Sequence, residues 1–251
     1  MKGGFFARLS KVVDSSDIIL EVLDARFPGL TRNRDLEQKV IASGKRLLFV
    51  INKADFASKR HAEAQKKLLS QEAETFFVSA KKRQGISLLR NRLFALAEKK
   101  RCVCGVVGYP NTGKSSLINI LVGRRVAGTS KKAGFTRGER LVRVSKNLLL
   151  FDSPGTIPFD ENDEFRLMLV NSKTAEQLSD PENTGMQFAE FVVSSQPDFF
   201  EKNFGLTGTD AEALLEAFAL KKGFLLSGGR PDCAAAAKFL IMQWQSGKIR
   251  F

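Results

Sequence analysis

Short apolar runs alternate with helix-like stretches along the first part of the chain. The apolar runs end in polar residues or glycine and cover residues 17–25, 45–53, 75–81, 101–108 and 146–155. Nearly continuous apolar runs of this length are typical of strands that are buried on both faces of a parallel sheet. Stretches with helical character lie between them, at residues 57–73, 86–100 and 114–123. This alternation predicts an α/β fold with a doubly wound, mostly parallel sheet, to which residues 138–145 add an edge strand.

The strand pattern stops after about residue 160. Helical stretches follow at residues 175–179, 185–196, 197–205, 210–223 and 230–247. The stretch 210–223 starts with Asp, carries Lys near its end and stops at Gly, which is the capping asymmetry of a stable helix. We therefore expect two domains, an α/β domain over residues 1–160 and a small all-α domain over residues 161–251.

Charge differs between the two halves of this 251-residue chain. Residues 1–157 hold 31 Lys and Arg and 13 Asp and Glu, a balance of +18, whereas residues 158–251 hold 9 and 14, a balance of −5. The basic half is either a binder of polyanions or simply a solvated surface, and charge alone leaves both open. No apolar run approaches the roughly 18 residues that a membrane helix needs, so we expect a cytoplasmic protein without a membrane partner.

The segment GYPNTGKSS, which starts at Gly108, matches the phosphate-binding pattern G-x-x-x-x-G-K-S. It follows a predicted strand and opens a predicted helix, which is the context that supports a P-loop. Backbone N–H groups would surround the β-phosphate, Lys114 would bridge the β- and γ-phosphates, and Ser115 would ligate Mg²⁺. The residues predicted to bind nucleotide here are Asn111, Thr112, Gly113, Lys114, Ser115 and Ser116.

Two further segments carry groups that a γ-phosphate and its metal need. Asp152 follows the apolar run LLLF, where its carboxylate is placed to reach Mg²⁺ through water, and Gly155 can turn its N–H toward the γ-phosphate. The basic loop at 130–140 contains Thr136, whose hydroxyl we assign to the metal, although an ordinary loop threonine is the alternative. The predicted catalytic set is therefore Lys114, Thr136 and Gly155.

The segment INKADF decides which base is bound. Guanine offers two donors on one edge, and the single carboxylate of Asp55 can accept both. Asn52 would brace the loop and approach the base, and the stem of Lys53 would cover one face of the ring. The run SAK follows the next strand and would add Ser79, the Ala80 N–H toward guanine O6, and Lys81 over the base.

The order of these motifs along the chain is unusual, because the base-reading N-K-x-D and S-A-K segments precede the P-loop. This order, followed by the Thr136 loop and D-x-P-G, resembles the circularly permuted GTPases of the YlqF/RbgA type. LDARFPG at 23–29 is similar to the D-A-R-x-P segment of that family. The tail from residue 225 onward, LLSGGRPDCAAAAKFLIMQWQSGKIR, is similar to its C-terminal helical domain. The resemblance spans nearly the whole chain.

The resemblance implies a GTPase that acts in ribosome assembly, on the large ribosomal subunit and its rRNA. With the motifs above we expect it to bind GTP and GDP with Mg²⁺, and we expect a monomer. Thr156 and Ile157 follow D-x-x-G where many GTPases place a Gln, so we expect slow intrinsic turnover that rises on a ribosomal particle. Asn111 occupies the position that helps hold K⁺ in related GTPases, and the sequence leaves K⁺ activation open. Two rival functions also remain open: a GTPase that acts on another RNA such as tRNA, and a GTP-dependent RNA-binding scaffold with little hydrolysis.

Replacing Asp55 tests the base assignment. In Asp55→Asn the side chain loses one acceptor and gains a donor, so preference should move from GTP toward XTP by at least about tenfold in the ratio of Kd values. Competition binding with GTP, XTP and ATP measures the ratio. An unchanged GTP preference would contradict the assignment.

Overall fold

A computed structural model describes residues 10–98, 100–123, 140–152 and 163–249. The chain forms two compact units, Met1–Pro158 and Phe159–Phe251. The predicted residues Thr136 and Gly155 lie outside the described residues.

The first unit is built on a sheet of six strands in the order β3-β2-β1-β4-β6-β5. All neighbouring pairs are parallel except β5 with β6, which is antiparallel. This arrangement confirms the predicted mostly parallel sheet with an added edge strand, and the structure shows that this edge strand is antiparallel to its neighbour. The strands are β1 Ile18–Asp24, β2 Arg46–Asn52, β3 Glu74–Phe77, β4 Cys102–Val107, β5 Arg140–Arg143 and β6 Leu148–Asp152.

Among the described residues of the first unit, helices lie between these strands. They are α1 Pro28–Thr31, α2 Arg34–Ala42, α3 Lys59–Leu69, α4 Ile86–Leu96 and α5 Lys114–Val122. The periodicity did not indicate α1 and α2. Both have local causes, because Pro28 is preorganised for the first helical turn and the Asn33 side chain accepts from the Leu36 N–H at the start of α2.

The central strands are buried on both faces. All seven residues of β1 and the last five of β2 are buried, which explains why these segments read as continuous apolar runs. The register between β1 and β2 places Asp24 opposite Asn52 at the carboxyl end of both strands. Loops that leave this edge of the sheet therefore start side by side.

The S-A-K segment follows a strand, as the sequence predicted. The strand β3 ends at Phe77, before Ser79. Ser79 then pairs with Gln84 as an isolated antiparallel bridge. The chain thus turns back within the S-A-K segment. The Val78 N–H still donates to the Ile51 carbonyl of β2, and residues 79–81 lie in a loop.

The second unit is helical in its described part, residues 163–249, as the sequence predicted. Its α-helices are α6 Glu164–Leu169, α7 Pro181–Ser195, α8 Phe199–Phe204, α9 Ala211–Lys222 and α10 Cys233–Gln245. Asp180, Asp210 and Asp232 cap α7, α9 and α10 by accepting backbone N–H groups. Its core is aromatic, with the rings of Phe188 and Trp244 5.3 Å apart. Among the described residues, none of the helices combines the length and apolarity that crossing a membrane requires.

Gly185 lets α7 and α10 approach closely. A Cβ at this position would lie 2.3 Å from the Cβ of Ala237, so a larger side chain must force the helices apart. We expect Gly185→Val to lower the free energy of unfolding by about 2 kcal/mol, measured by urea denaturation. Gln187→Val, at an exposed position of the same helix, is the control. Equal stability of the two variants would contradict this packing.

Candidate functional site

The turn that the sequence predicts to read the base, residues 52–56 and hereafter the base-reading turn, leaves the carboxyl end of β2. Lys53 adopts the left-handed conformation at φ 62° and starts a short 3₁₀ turn over Ala54–Phe56. The Ser79 hydroxyl donates to Asp55 Oδ1 over 2.6 Å, and the Ala54 N–H donates to the Val78 carbonyl over 3.1 Å. These contacts fix the Asp55 carboxylate, which is half-buried, against the S-A-K loop.

The P-loop leaves the carboxyl end of β4 and ends at the N-terminus of α5. Three of its residues have positive φ: Gly108 at 146°, Asn111 at 59° and Gly113 at 94°. A Cβ on Gly108 would lie 2.4 Å from the Val22 carbonyl oxygen of β1, so only glycine fits there. The loop therefore wraps tightly over the sheet edge, as a phosphate-binding turn requires.

Lys114 is held inside the P-loop. Its ammonium donates to the carbonyls of Gly108 and Tyr109 over 2.8 and 2.7 Å, and the residue is buried. The Thr112 hydroxyl donates to the same Tyr109 carbonyl over 2.9 Å. The ammonium thus lies within the turn that would surround a phosphate, where its charge would be close to the anion.

The side chain of Asn52 joins the two parts of the site. Its Nδ2 donates to the Thr112 carbonyl over 2.9 Å, and its Oδ1 accepts from the Ala80 N–H over 3.0 Å. The residue is buried, and a Cβ on Gly113 would lie 2.2 Å from Nδ2. One amide therefore connects the base-reading turn, the S-A-K loop and the P-loop. The sequence predicted that Asn52 braces its own loop but did not predict these two partners.

The Ala80 N–H is the group that the sequence analysis assigned to guanine O6. In the structure it donates to Asn52 Oδ1. Its role toward a base stays a prediction.

The other predicted nucleotide and metal ligands that the structure describes also lie near this edge of the sheet. Ser115 and Ser116 are exposed in the first turn of α5, and Lys81 is exposed beyond the S-A-K turn. Asp152 is the last residue of β6, which runs parallel to β4. Ser115 thus comes after β4, and Asp152 ends the neighbouring strand β6. Both residues are therefore placed at the carboxyl edge of the sheet.

An ion-pair cluster beside the base-reading turn was not predicted from the sequence. The Lys53 ammonium lies 2.7 Å from Asp24 Oδ2, and Arg26 binds the same carboxylate through Nε and Nη2 at 3.0 and 2.9 Å. Burial alone would raise the pKa of the Asp24 carboxyl, but Arg26 and Lys53 together hold it well below its usual range. Burial lowers the pKa of Lys53, and Asp24 opposes this change. The D-A-R segment was the only signal of this cluster in the sequence.

The donor and acceptor set fits a guanine nucleotide with a divalent cation. One fixed carboxylate, a buried ammonium and the N-terminus of a nine-residue helix match the base edge and the phosphates. The Ser115 hydroxyl and the Asp152 carboxylate are oxygen ligands of the kind that Mg²⁺ prefers. Among the described residues, no group of three or more His, Cys, Asp and Glu side chains could hold a metal ion.

Comparison with known families and sequences gives consistent results. The family model described as 50S ribosome-binding GTPase matches residues 103–195. An uncharacterized GTP-binding protein of Methanocaldococcus jannaschii is 38% identical over 247 residues, which are 97% of this chain and 65% of that protein. Nucleolar GTP-binding protein 2 of Neurospora crassa is 36% identical over 96% of this chain and 40% of its own length. The chain thus spans less than two thirds of the length of these curated relatives.

Comparison with solved structures confirms the fold. GDP-bound YlqF from T. maritima superposes with a TM-score of 0.69 at 23% identity, covering 97% of this chain and 96% of that chain. At this identity the likeness establishes the architecture, and it does so over nearly the full length of both chains.

Removing the Asn52 amide tests whether it holds the site together. Asn52→Ala leaves the Thr112 carbonyl and the Ala80 N–H without their partner, so we expect the free energy of unfolding to fall by about 2 kcal/mol. Urea denaturation without nucleotide measures this. The control is Asn119→Ala, an exposed position of α5, which should stay within about 0.5 kcal/mol of the parent. Equal effects of the two substitutions would contradict the bridging role.

Proposed function

We propose that this chain, which belongs to the circularly permuted GTPases of the YlqF type, hydrolyses GTP to GDP and phosphate while it acts in assembly of the large ribosomal subunit. The observation that carries the proposal is the Asn52 amide, which links the base-reading turn to the P-loop. This link supports a single pocket for the base and the phosphates of one nucleotide.

The base end of the pocket would select guanine. Asp55 would accept from the two donors on the guanine edge, while Ser79 keeps the carboxylate oriented through its 2.6 Å hydrogen bond. The Lys53 stem would cover one face of the ring. An adenine in this position would leave the carboxylate without donors, which disfavours ATP.

The phosphate end would neutralise charge as the γ-phosphoryl group is transferred to water. Lys114 would exchange its carbonyl partners for β- and γ-phosphate oxygens, and the backbone N–H groups at the start of α5 would bind the β-phosphate. Ser115 and Asp152 would hold Mg²⁺, which when bound withdraws charge from the phosphates. Thr136 as a further metal ligand and Gly155 as a γ-phosphate donor stay predictions from the sequence.

Turnover is expected to be slow in the isolated chain. The sequence places Thr156 rather than Gln after D-x-x-G, so no amide at that position orients the attacking water. Asn111, with its left-handed backbone in the P-loop, is the residue we assign to K⁺ if this cation takes part. A ribosomal particle would complete the site and raise the rate.

The partner is proposed from the basic charge of the first part of the chain and from the names of the relatives. A balance of +18 over residues 1–157 is suited to rRNA phosphates. The matching family model is described as ribosome-binding, and one relative is named as nucleolar. Action in the cytoplasm and as a monomer stays a prediction. A GTPase that acts on tRNA, or a scaffold with little hydrolysis, is the alternative that the experiment below distinguishes.

The proposal is tested by measuring the rate of GTP hydrolysis, in single-turnover and steady-state assays, with and without purified large ribosomal subunits. We expect the subunits to raise the rate at least about tenfold, because they supply the missing positioning of water. Lys114→Ala should lose at least about a hundredfold in rate, since one preorganised charge is removed. The matched control is Lys66→Ala, an exposed lysine of α3.

Three results would contradict parts of the proposal. Stimulation by tRNA instead of ribosomal subunits favours the other-RNA alternative. Nucleotide-dependent co-sedimentation with subunits but no hydrolysis favours the scaffold. Equal rates for Lys114→Ala and the parent chain refute the assigned phosphate site.

A further inference from the structure

Residues 24–26 contact the base-reading turn at three points. The Ala25 N–H donates to the Asn52 carbonyl over 2.8 Å, which extends the pairing of β1 with β2 by one residue. Asp24 Oδ2 accepts from the Lys53 ammonium over 2.7 Å. The Arg26 guanidinium lies over the Phe56 ring, 5.6 Å from its centroid. The start, the lysine and the end of the turn are therefore all supported by one short segment.

The Asp24 carboxylate is held in one orientation. Oδ1 accepts from the backbone N–H and Nε of Arg26 at 3.1 and 3.0 Å, and Oδ2 accepts from Arg26 Nη2 at 2.9 Å. The Arg26 side chain is fully buried, and that of Asp24 is 5% exposed. A planar guanidinium that binds both oxygens fixes the plane of the carboxylate as well as its place.

Lys53 is consequently fixed at both ends. Its backbone is held in a left-handed conformation that residues with a Cβ seldom adopt. Its ammonium is held by Asp24, and its side chain is 17% exposed. A lysine stem has four rotatable bonds and would otherwise sample many rotamers, whereas here it spans between two fixed points.

We propose that Asp24 and Arg26 are positioning residues for base binding, which hold the Lys53 stem in the place where it covers one face of the guanine ring. This inference rests on the proposed function, because it concerns the same nucleotide pocket. Asp24 acts through Lys53, and Arg26 acts through Asp24. A lysine held in advance loses less conformational freedom on binding, which strengthens binding of the nucleotide.

A double-mutant cycle between Asp24 and Lys53 tests this role. GDP affinity is measured by titration calorimetry with Mg²⁺ for the parent chain, Asp24→Asn, Lys53→Met and the double variant. Each single substitution should weaken GDP binding about tenfold, as expected for loss of a buried charge-assisted hydrogen bond. The double variant should be no more than about twofold weaker than Lys53→Met, because Asp24 has nothing left to position.

Two further variants separate positioning from general destabilisation. Asp24→Asn removes the carboxylate that the buried Arg26 guanidinium binds, so the cycle is repeated with Asp24→Asn/Arg26→Met, which removes this buried guanidinium together with its anion. Glu74→Gln on β3, which removes an exposed ion pair with Arg92 of α4, is the control and should leave GDP affinity unchanged. Circular dichroism confirms that each variant is folded.

The outcomes distinguish this inference from the proposed function. If the parent chain does not bind GDP, the proposed function fails and the inference fails with it. If the parent chain binds GDP but Asp24→Asn weakens binding equally with and without Lys53, or not at all, only the positioning role is overturned. The positioning role is also overturned if Asp24→Asn/Arg26→Met weakens GDP binding equally in the parent chain and in the Lys53→Met variant.

Discussion

The candidate site depends on one buried amide. Asn52 lies at the carboxyl end of β2, and its side chain donates to the P-loop at Thr112 and accepts from the S-A-K loop at Ala80. An amide suits this place because it carries a donor and an acceptor on one rigid group. A carboxylate would repel the Thr112 carbonyl, and an apolar side chain would leave two buried backbone groups without partners.

The Asn52 contact also explains how the permuted order of motifs remains compatible with one pocket. The two hydrogen-bonded residues, Asn52 and Thr112, are separated by 60 positions along the chain. They meet because the order β2-β1-β4 and the parallel register bring the carboxyl ends of these strands to one edge of the sheet. The spatial arrangement of strands, and not the order in which the chain visits them, determines which loops meet.

Much of the fold could be predicted from the sequence because the determinants were local. Strands such as β1 and β2 are buried on both faces, so each reads as an apolar run. The P-loop was recognisable because its glycines and Lys114 are needed at fixed spacing. The cluster of Asp24, Arg26 and Lys53 could not be predicted in the same way, since it depends on the register that places Asp24 beside Asn52. The partners of Asn52 likewise depend on how three separate loops meet.

A crystal structure with GDP and Mg²⁺ tests the central claim most directly, because it locates both ends of the nucleotide at once. We expect the guanine edge to lie within about 3 Å of the Asp55 carboxylate. We also expect the β-phosphate of the same molecule to lie at the N-terminus of α5, next to Lys114. A nucleotide whose phosphates lie in the P-loop while its base lies away from residues 52–56, or the reverse, would contradict it.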